Sequence, residues 1–152
     1  MSNPNDKDAF RDWAQQQMQA MGKHLATHGL ISRDEIRVEA RWNYPFRVLI
    51  AQAWGSKDEA RKFWVIAGDV PVDHIEGAAA SDARGALKHF AMRWQVKGAR
   101  VKSADRDLAA PQAERSKLRI NWTEVGDTLA DQAEFIYALA EDDRNWESTM
   151  RM

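Results

Sequence analysis

The spacing of hydrophobic residues changes period near residue 30, so the chain opens with a helix and continues with strands. Across Phe10–Leu25, apolar residues recur every three or four positions, which is the spacing of one helix face. Asn5 or Asp6 is suited to cap the start of this helix, and Gly29 stands where a left-handed C-cap residue belongs. We therefore predict a first helix that ends near residue 28.

The following segment alternates with a period of two. Its apolar positions are Ile36, Val38, Ala40 and Trp42, with charged or polar residues between them. This alternation is typical of a strand with one buried face. Ser32 with Glu35 is a possible capping box, which would begin a short helix instead. Of the two interpretations for residues 32–42, we favour the strand.

Two further apolar runs, Phe46–Trp54 and Phe63–Ala67, are rich in branched and aromatic residues and predict strands. Pro45 precedes the first run, and the charged stretch Gly55–Lys62 separates the two, as an exposed hairpin connection would. A sheet of two or three antiparallel strands needs helices on at least one face.

The rest of the chain predicts helices. After a loop at residues 76–81, Ser81 or Asp82 is placed to cap a helix that carries apolar residues on one face and basic residues elsewhere. Ser103–Lys117 contains Pro111 and predicts a surface connection with at most one short helical turn. A last helix begins at Asn121, which has the side chain of an N-cap.

These elements predict one α+β domain over residues 1–152, in which a small antiparallel sheet of two or three strands packs against three main helices. Residues 1–5 are expected to be disordered. The length, the hydrophobic fraction of 44% and the net charge of -1 fit a single globular core and indicate no partner from bulk charge alone.

Composition also limits the chemistry and the compartment. The chain has no cysteine, which excludes disulfides and thiolate metal sites. The N-terminus lacks a signal-peptide pattern and no apolar run is long enough for a bilayer, so we expect a cytoplasmic protein with no membrane association. Seven tryptophans indicate a tryptophan-rich core, with an aromatic ligand cage as the alternative.

Asp69, Asp73 and His74 are the candidate catalytic residues, because they come after a predicted strand in a turn. Two carboxylates four residues apart with an imidazole beside them suit acid–base work or a divalent cation. The structural alternative, which we favour, is that Asp69 bonds within its own turn, Pro71 fixes the bend and Asp73 caps the next element.

His24 and His28 have the i, i+4 spacing of two metal ligands on one helix face. They also lie in the last turns of the predicted helix, where the helix dipole favours cationic side chains. No nearby cysteine or glutamate completes a zinc set, so from the sequence we expect no metal and no cofactor.

The predicted second helix is strongly basic, and no acid interrupts its cationic positions. The candidate partner-binding residues are Arg84, Lys88, Arg93, Lys97 and Arg100. An acidic protein surface is the expected partner, ahead of nucleic acid, because no aromatic RNA-binding motif is present. The acidic face of the last helix offers an internal partner instead; its residues are Asp127, Asp131, Glu134 and Glu141.

The run Trp64–Ile75 contains the pattern W-x-I-x-G-D-x-P-x-D and is followed by a basic helix with Arg84, His89 and Trp94. With this run, the chain resembles a bacterial family defined as domain of unknown function 4826, over most of its length from Trp13 to about residue 146. The resemblance implies a compact bacterial cytosolic protein and assigns no catalytic residue.

The sequence thus supports two functions as hypotheses. The first is a small interaction module that binds another bacterial protein as a regulatory or immunity-type subunit, which makes an enzyme the less expected class. The alternative is a small-molecule or metal-binding protein, or a small hydrolase, that uses Asp69, Asp73 and His74.

Overall fold

A computed structural model describes residues 4–107 and 121–147. The chain divides into two compact units, Met1–Leu87 and Lys88–Met152, and each is described by itself. The described part contains three α-helices and one four-stranded sheet, so the α+β class is confirmed. The predicted single domain stays a prediction.

The first helix, α1, covers Pro4–Thr27. Its end is as predicted: Gly29 has φ 68°, and the amide of Leu30 donates to the carbonyl of Leu25 at 3.0 Å, as in a glycine C-cap. The predicted start is wrong, because Asn5 and Asp6 lie inside the helix. Proline suits a first helical turn, where its missing N–H would have no partner. Residues 1–3 of the segment expected to be disordered lie outside the described residues.

The sheet has four antiparallel strands in the order β1-β2-β3-β4, where two or three were predicted. The strands are β1 (Ile36–Tyr44), β2 (Val48–Gly55), β3 (Asp58–Gly68) and β4 (Asp73–Glu76). The strand interpretation of residues 36–42 is confirmed, and only one 3-10 turn, Arg33–Glu35, precedes it. The fourth strand was missed because it has four residues, three of them charged or titratable, and pairs only with β3.

The second strand of the predicted hairpin is longer in the structure than the sequence indicated. Residues 58–62 were assigned to the connection because they are charged, but they extend β3, and the turn is Ser56–Lys57 alone. Charged side chains are tolerated there because residues 58–61 are solvent-exposed. At the other end, Phe46 has φ 65° in a turn, so β2 begins at Val48.

In the first unit, α1 packs on one face of the sheet. Its anchors are Met21 and Leu25, which have no solvent exposure. The sheet residues of this core are Leu49, Ala51, Ala53, Phe63, Val65 and Ala67. Because these positions alternate along β2 and β3, they project toward the same face, where α1 covers them.

The two ends of β4 are fixed by different contacts, one in the turn that precedes it and one in the segment that follows it. Gly68 has φ 132°, and the amide of Asp69 donates to the carbonyl of Arg47 at 2.8 Å. Beyond β4, Trp64 Nε1 donates to the carbonyls of Gly77 (3.2 Å) and Ala80 (3.0 Å). Both ends of β4 are thereby held against the sheet.

The helix α2 covers Ala83–Asp107, and α3 covers Trp122–Glu141. The predicted caps are confirmed: Asp82 accepts from the amide of Gly85 at 2.7 Å, and Asn121 accepts from the amide of Glu124 at 3.1 Å. Residues 103–107 are helical, which corrects the predicted connection, and its remainder lies outside the described residues. Within the second unit, a Cβ on Gly98 would lie 2.8 Å from the carbonyl of Gly126, so the two helices touch at their backbones.

Four tryptophans are buried, each with less than 9% of its surface exposed. They are Trp42, Trp64, Trp94 and Trp146. This burial agrees with the core interpretation for these four. Within the described ranges, no helix has an apolar stretch long enough to cross a bilayer.

Candidate metal centre

Asp73 and His74 lie at the start of the edge strand β4. His74 is paired with Val65 of β3, and Val65 belongs to the face that α1 covers. The His74 side chain is therefore directed toward α1. Asp73 turns back on its own strand, since its Oδ1 accepts a hydrogen bond from the His74 amide at 2.8 Å.

On the other side of the site, α1 contributes His24. The buried neighbours Met21 and Leu25 fix the rotation of the helix on the sheet, and this rotation places His24 opposite β4. His24 Nε2 and His74 Nδ1 lie 2.8 Å apart and share a hydrogen bond. One of these ring nitrogens donates and the other accepts, so the contact requires complementary tautomers.

His24, Asp73 and His74 form a cluster that has the ligands and the spacing of a metal site. One ligand atom from each side chain lies within 4.8 Å of the other two, and all three residues are partly buried. Two nitrogens bound to one zinc ion at about 2.0 to 2.1 Å lie about 2.9 to 3.4 Å apart, depending on the coordination angle. The nitrogen separation of 2.8 Å is therefore close to the spacing that a shared ion requires.

His28 flanks this cluster. Its ring centroid lies 4.1 Å from that of His24 and 5.7 Å from that of His74. Its Nδ1 forms a hydrogen bond of 2.8 Å with the backbone carbonyl of His24, which only a protonated nitrogen can donate. The carbonyl thus fixes the tautomer of His28, as backbone carbonyls commonly do for histidines in metal sites.

The third residue of the predicted catalytic set lies elsewhere. Asp69 is exposed and forms an ion pair of 3.1 Å with Arg47, next to the tight turn at Gly68. The structure thus brings together Asp73 and His74 with His24, whereas the Asp69 carboxylate pairs with Arg47 and is not part of this cluster.

The predicted partner-binding residues lie on α2, and helical geometry places them on two flanks. At about 100° per residue, Arg84, Lys88 and Lys102 share one flank, while Arg93, Lys97 and Arg100 share the other. On the first flank, Lys88 meets Glu141 at 3.3 Å and Lys102 meets Asp127 at 2.8 Å. The α3 carboxylates thus neutralise these two lysines, as the internal alternative predicted.

The family model described as a domain of unknown function (DUF4826) matches residues 8–146 of the chain. The chain belongs to DUF4826. This assignment confirms the resemblance seen in the sequence, and the matched range includes every residue of the histidine and aspartate cluster. No curated protein and no solved structure gives a significant match.

In this DUF4826 chain, His24 is the residue of the cluster for which the sequence predicted no metal-binding role. Fifty positions separate it from His74, and no local motif joins them. The usable signal was the pair His24 and His28 on one helix face, together with a third histidine, His74, beside an aspartate. What the sequence lacked was the antiparallel addition of β4, which brings that second pair to α1.

The pKa of His24 is lowered from its usual value of 6.5, first by partial burial and then by the charges of His28 and His74, while Asp73 opposes the shift. Below about pH 6.5 the unfolded chain binds a proton that folded His24 resists, so acid favours unfolding. We expect the free energy of unfolding, measured in chelator, to fall as the pH is lowered from 7 toward 5. His24→Gln should make this fall shallower, and an unchanged slope would contradict the assignment.

Proposed function

We propose that this protein binds a divalent transition-metal ion through His24, Asp73 and His74. The observation that carries the proposal is the convergence of three ligand atoms, from a helix and an edge strand, within 4.8 Å. The proposal takes two residues from the catalytic set that the sequence indicated and replaces Asp69 with His24.

The donor chemistry supports a first-row transition metal rather than calcium or magnesium. Imidazole nitrogen suits zinc, copper, iron and nickel, whereas calcium and magnesium prefer oxygen ligands. Two histidines and one carboxylate leave coordination positions for water or a small molecule, as in catalytic rather than closed structural zinc sites. When bound, such an ion supplies Lewis acidity. The protein would contribute the positions of His24, Asp73 and His74.

Zinc is expected to raise the thermal unfolding midpoint of the protein. At a free zinc concentration about 100 times the dissociation constant, binding to the folded state adds about 2.7 kcal/mol. For a chain of this size, that corresponds to a rise of roughly 5 to 10 °C. The measurement is calorimetry on the full chain, with added zinc or with chelator.

Asp73→Asn is the test variant and Asp69→Asn its matched control. Asparagine at position 73 retains an acceptor for the His74 amide but loses the carboxylate charge, so the zinc-induced rise should shrink by more than half. The Asp69 carboxylate forms an ion pair with Arg47 and is not part of the cluster. Asp69→Asn should therefore keep the full zinc-induced rise in the unfolding midpoint. If both variants keep the zinc-induced rise, or if the wild-type protein shows no rise, the proposed metal site is wrong.

A further inference from the structure

The second unit presents an exposed surface on α2 that the metal proposal does not involve. Its members line one shallow groove and are all solvent-exposed: His89, Met92, Arg93, Val96, Lys97 and Arg100. We call this surface the α2 outer face. It contains three of the basic residues that the sequence predicted to bind a partner, together with the apolar side chains of Met92 and Val96.

One side of the α2 outer face is apolar. Met92 is 65% exposed and Val96 is 47% exposed, and the two stand one helical turn apart. An apolar pair at this spacing matches the contact that a second helix makes through residues at i and i+4. Exposure of both side chains on the same groove is therefore the first indication of a docking site.

The cations of the α2 outer face lie beside this apolar pair, and they differ from the lysines on the other flank of α2. Lys88 and Lys102 have carboxylates of α3 beside them, but Lys97 and Arg100 form no ion pair with any residue in the described part of the chain. Arg93 adds a third positive charge to the same groove. A partner that covers Met92 and Val96 would therefore meet positive charge beside them.

We propose that the α2 outer face binds an acidic amphipathic helix of a partner protein. An apolar stripe on that helix would cover Met92 and Val96, and its carboxylates would pair with Lys97 and Arg100. Nucleic acid fits less well, because phosphate contacts require only the cations and gain nothing from an exposed Met and Val. No aromatic side chain that could stack on a base, apart from the imidazole of His89, is among the described residues lining this groove.

The test uses defined probes and the full chain. The first probe is a synthetic helix of about 15 to 20 residues, with leucines at i, i+3, i+4 and i+7 and glutamates on the other face. The second has the same composition in scrambled order, without an apolar stripe. The third is a single-stranded DNA oligonucleotide of equal charge. Binding is measured by fluorescence anisotropy in low and physiological salt.

We expect the amphipathic probe to bind most tightly, with at least a tenfold weaker interaction for the scrambled peptide. The double variant Lys97→Glu with Arg100→Glu should weaken amphipathic binding at least tenfold. Val96→Ser, which changes no charge, should weaken it about threefold or more. The matched control, Arg37→Glu with Lys57→Glu in the first unit, reverses the same number of exposed charges and should change affinity less than twofold.

Three results would overturn the proposal. One is an amphipathic probe that does not bind, and another is binding that the control reversal weakens as much as the α2 reversal. The third is tighter binding of the DNA probe with no effect of Val96→Ser, which would assign the face to phosphate instead. Circular dichroism of each variant shows whether the helices are retained.

Discussion

His24→Ala is expected to lower the zinc affinity of the protein at least 100-fold. The substitution removes one of the three proposed protein ligands. Of the three, His24 is the one that lies on α1. Changes to groups that merely support ligands already cost about 10- to 100-fold in metal affinity, so loss of a ligand should cost more. Competition against a chromophoric chelator measures the dissociation constant directly.

The other histidines provide graded controls for this experiment. His28 contacts the His24 ring but is outside the three-residue set, so His28→Ala should weaken zinc binding less than tenfold. His89 lies on the α2 outer face in the second unit, and His89→Ala should have no effect. The fold should survive His24→Ala, because the lost hydrogen bond to His74 contributes about 1 kcal/mol. Equal losses for His24→Ala and His89→Ala would show that zinc binds without this site.

Gly68→Ala is expected to destabilise the first unit by about 3 kcal/mol or more. Gly68 has φ 132°, a backbone conformation that costs little only for glycine. A Cβ at this position would also overlap the carbonyl oxygen of Arg47. Backbone atoms cannot move aside as a flexible side chain can. The start of β2 and the end of β3 would therefore have to shift. Urea denaturation followed by tryptophan fluorescence measures the loss.

Gly22→Ala is the matched control for that substitution. Gly22 lies inside α1, and its Cβ would make an ordinary contact of 3.8 Å with Ile36. Alanine is a better helix former than glycine by about 1 kcal/mol, so this variant should be as stable as wild type or more stable. If Gly68→Ala matched wild type as well, the turn after β3 would not have the conformation described.

Two element ends were predictable from a single residue type, although the cap residues predicted for α1, Asn5 and Asp6, do not mark its start. Gly29 ends α1 because it can take positive φ, and Asn121 begins α3 because its side chain caps an amide. The alternation across residues 36–42 likewise identified β1. In each case the deciding interaction is local, so the sequence alone contains it.

Elements whose state depends on a neighbour were not predictable. Residues 58–62 are charged and become part of β3 because β2 lies beside them, and the four residues of β4 are ordered by pairing with β3. Tertiary pairing overrides the weak strand preference of such residues. The candidate metal site depends on the same event, since His74 faces His24 only after β4 joins the sheet.

The basic helix shows a related limit. The positions of the cations around α2 follow from the helical repeat, but which of them meet carboxylates depends on the face that α3 covers. That packing joins Lys88 and Lys102 to carboxylates, while Met92 and Val96 remain exposed beside Lys97 and Arg100. The charge pattern thus indicated a partner-binding helix, and the structure identifies the residues for which we propose that role.

X-ray absorption spectroscopy of the zinc-loaded full chain tests the central claim most directly. At one bound ion per chain, we expect a first shell of nitrogen and oxygen at about 2.0 to 2.1 Å, with the outer-shell scattering of two imidazole rings. The His24→Ala protein, loaded at the same ratio, should show one imidazole fewer. A wild-type spectrum without imidazole outer-shell scattering, or one unchanged by His24→Ala, would contradict a metal site formed by His24, Asp73 and His74.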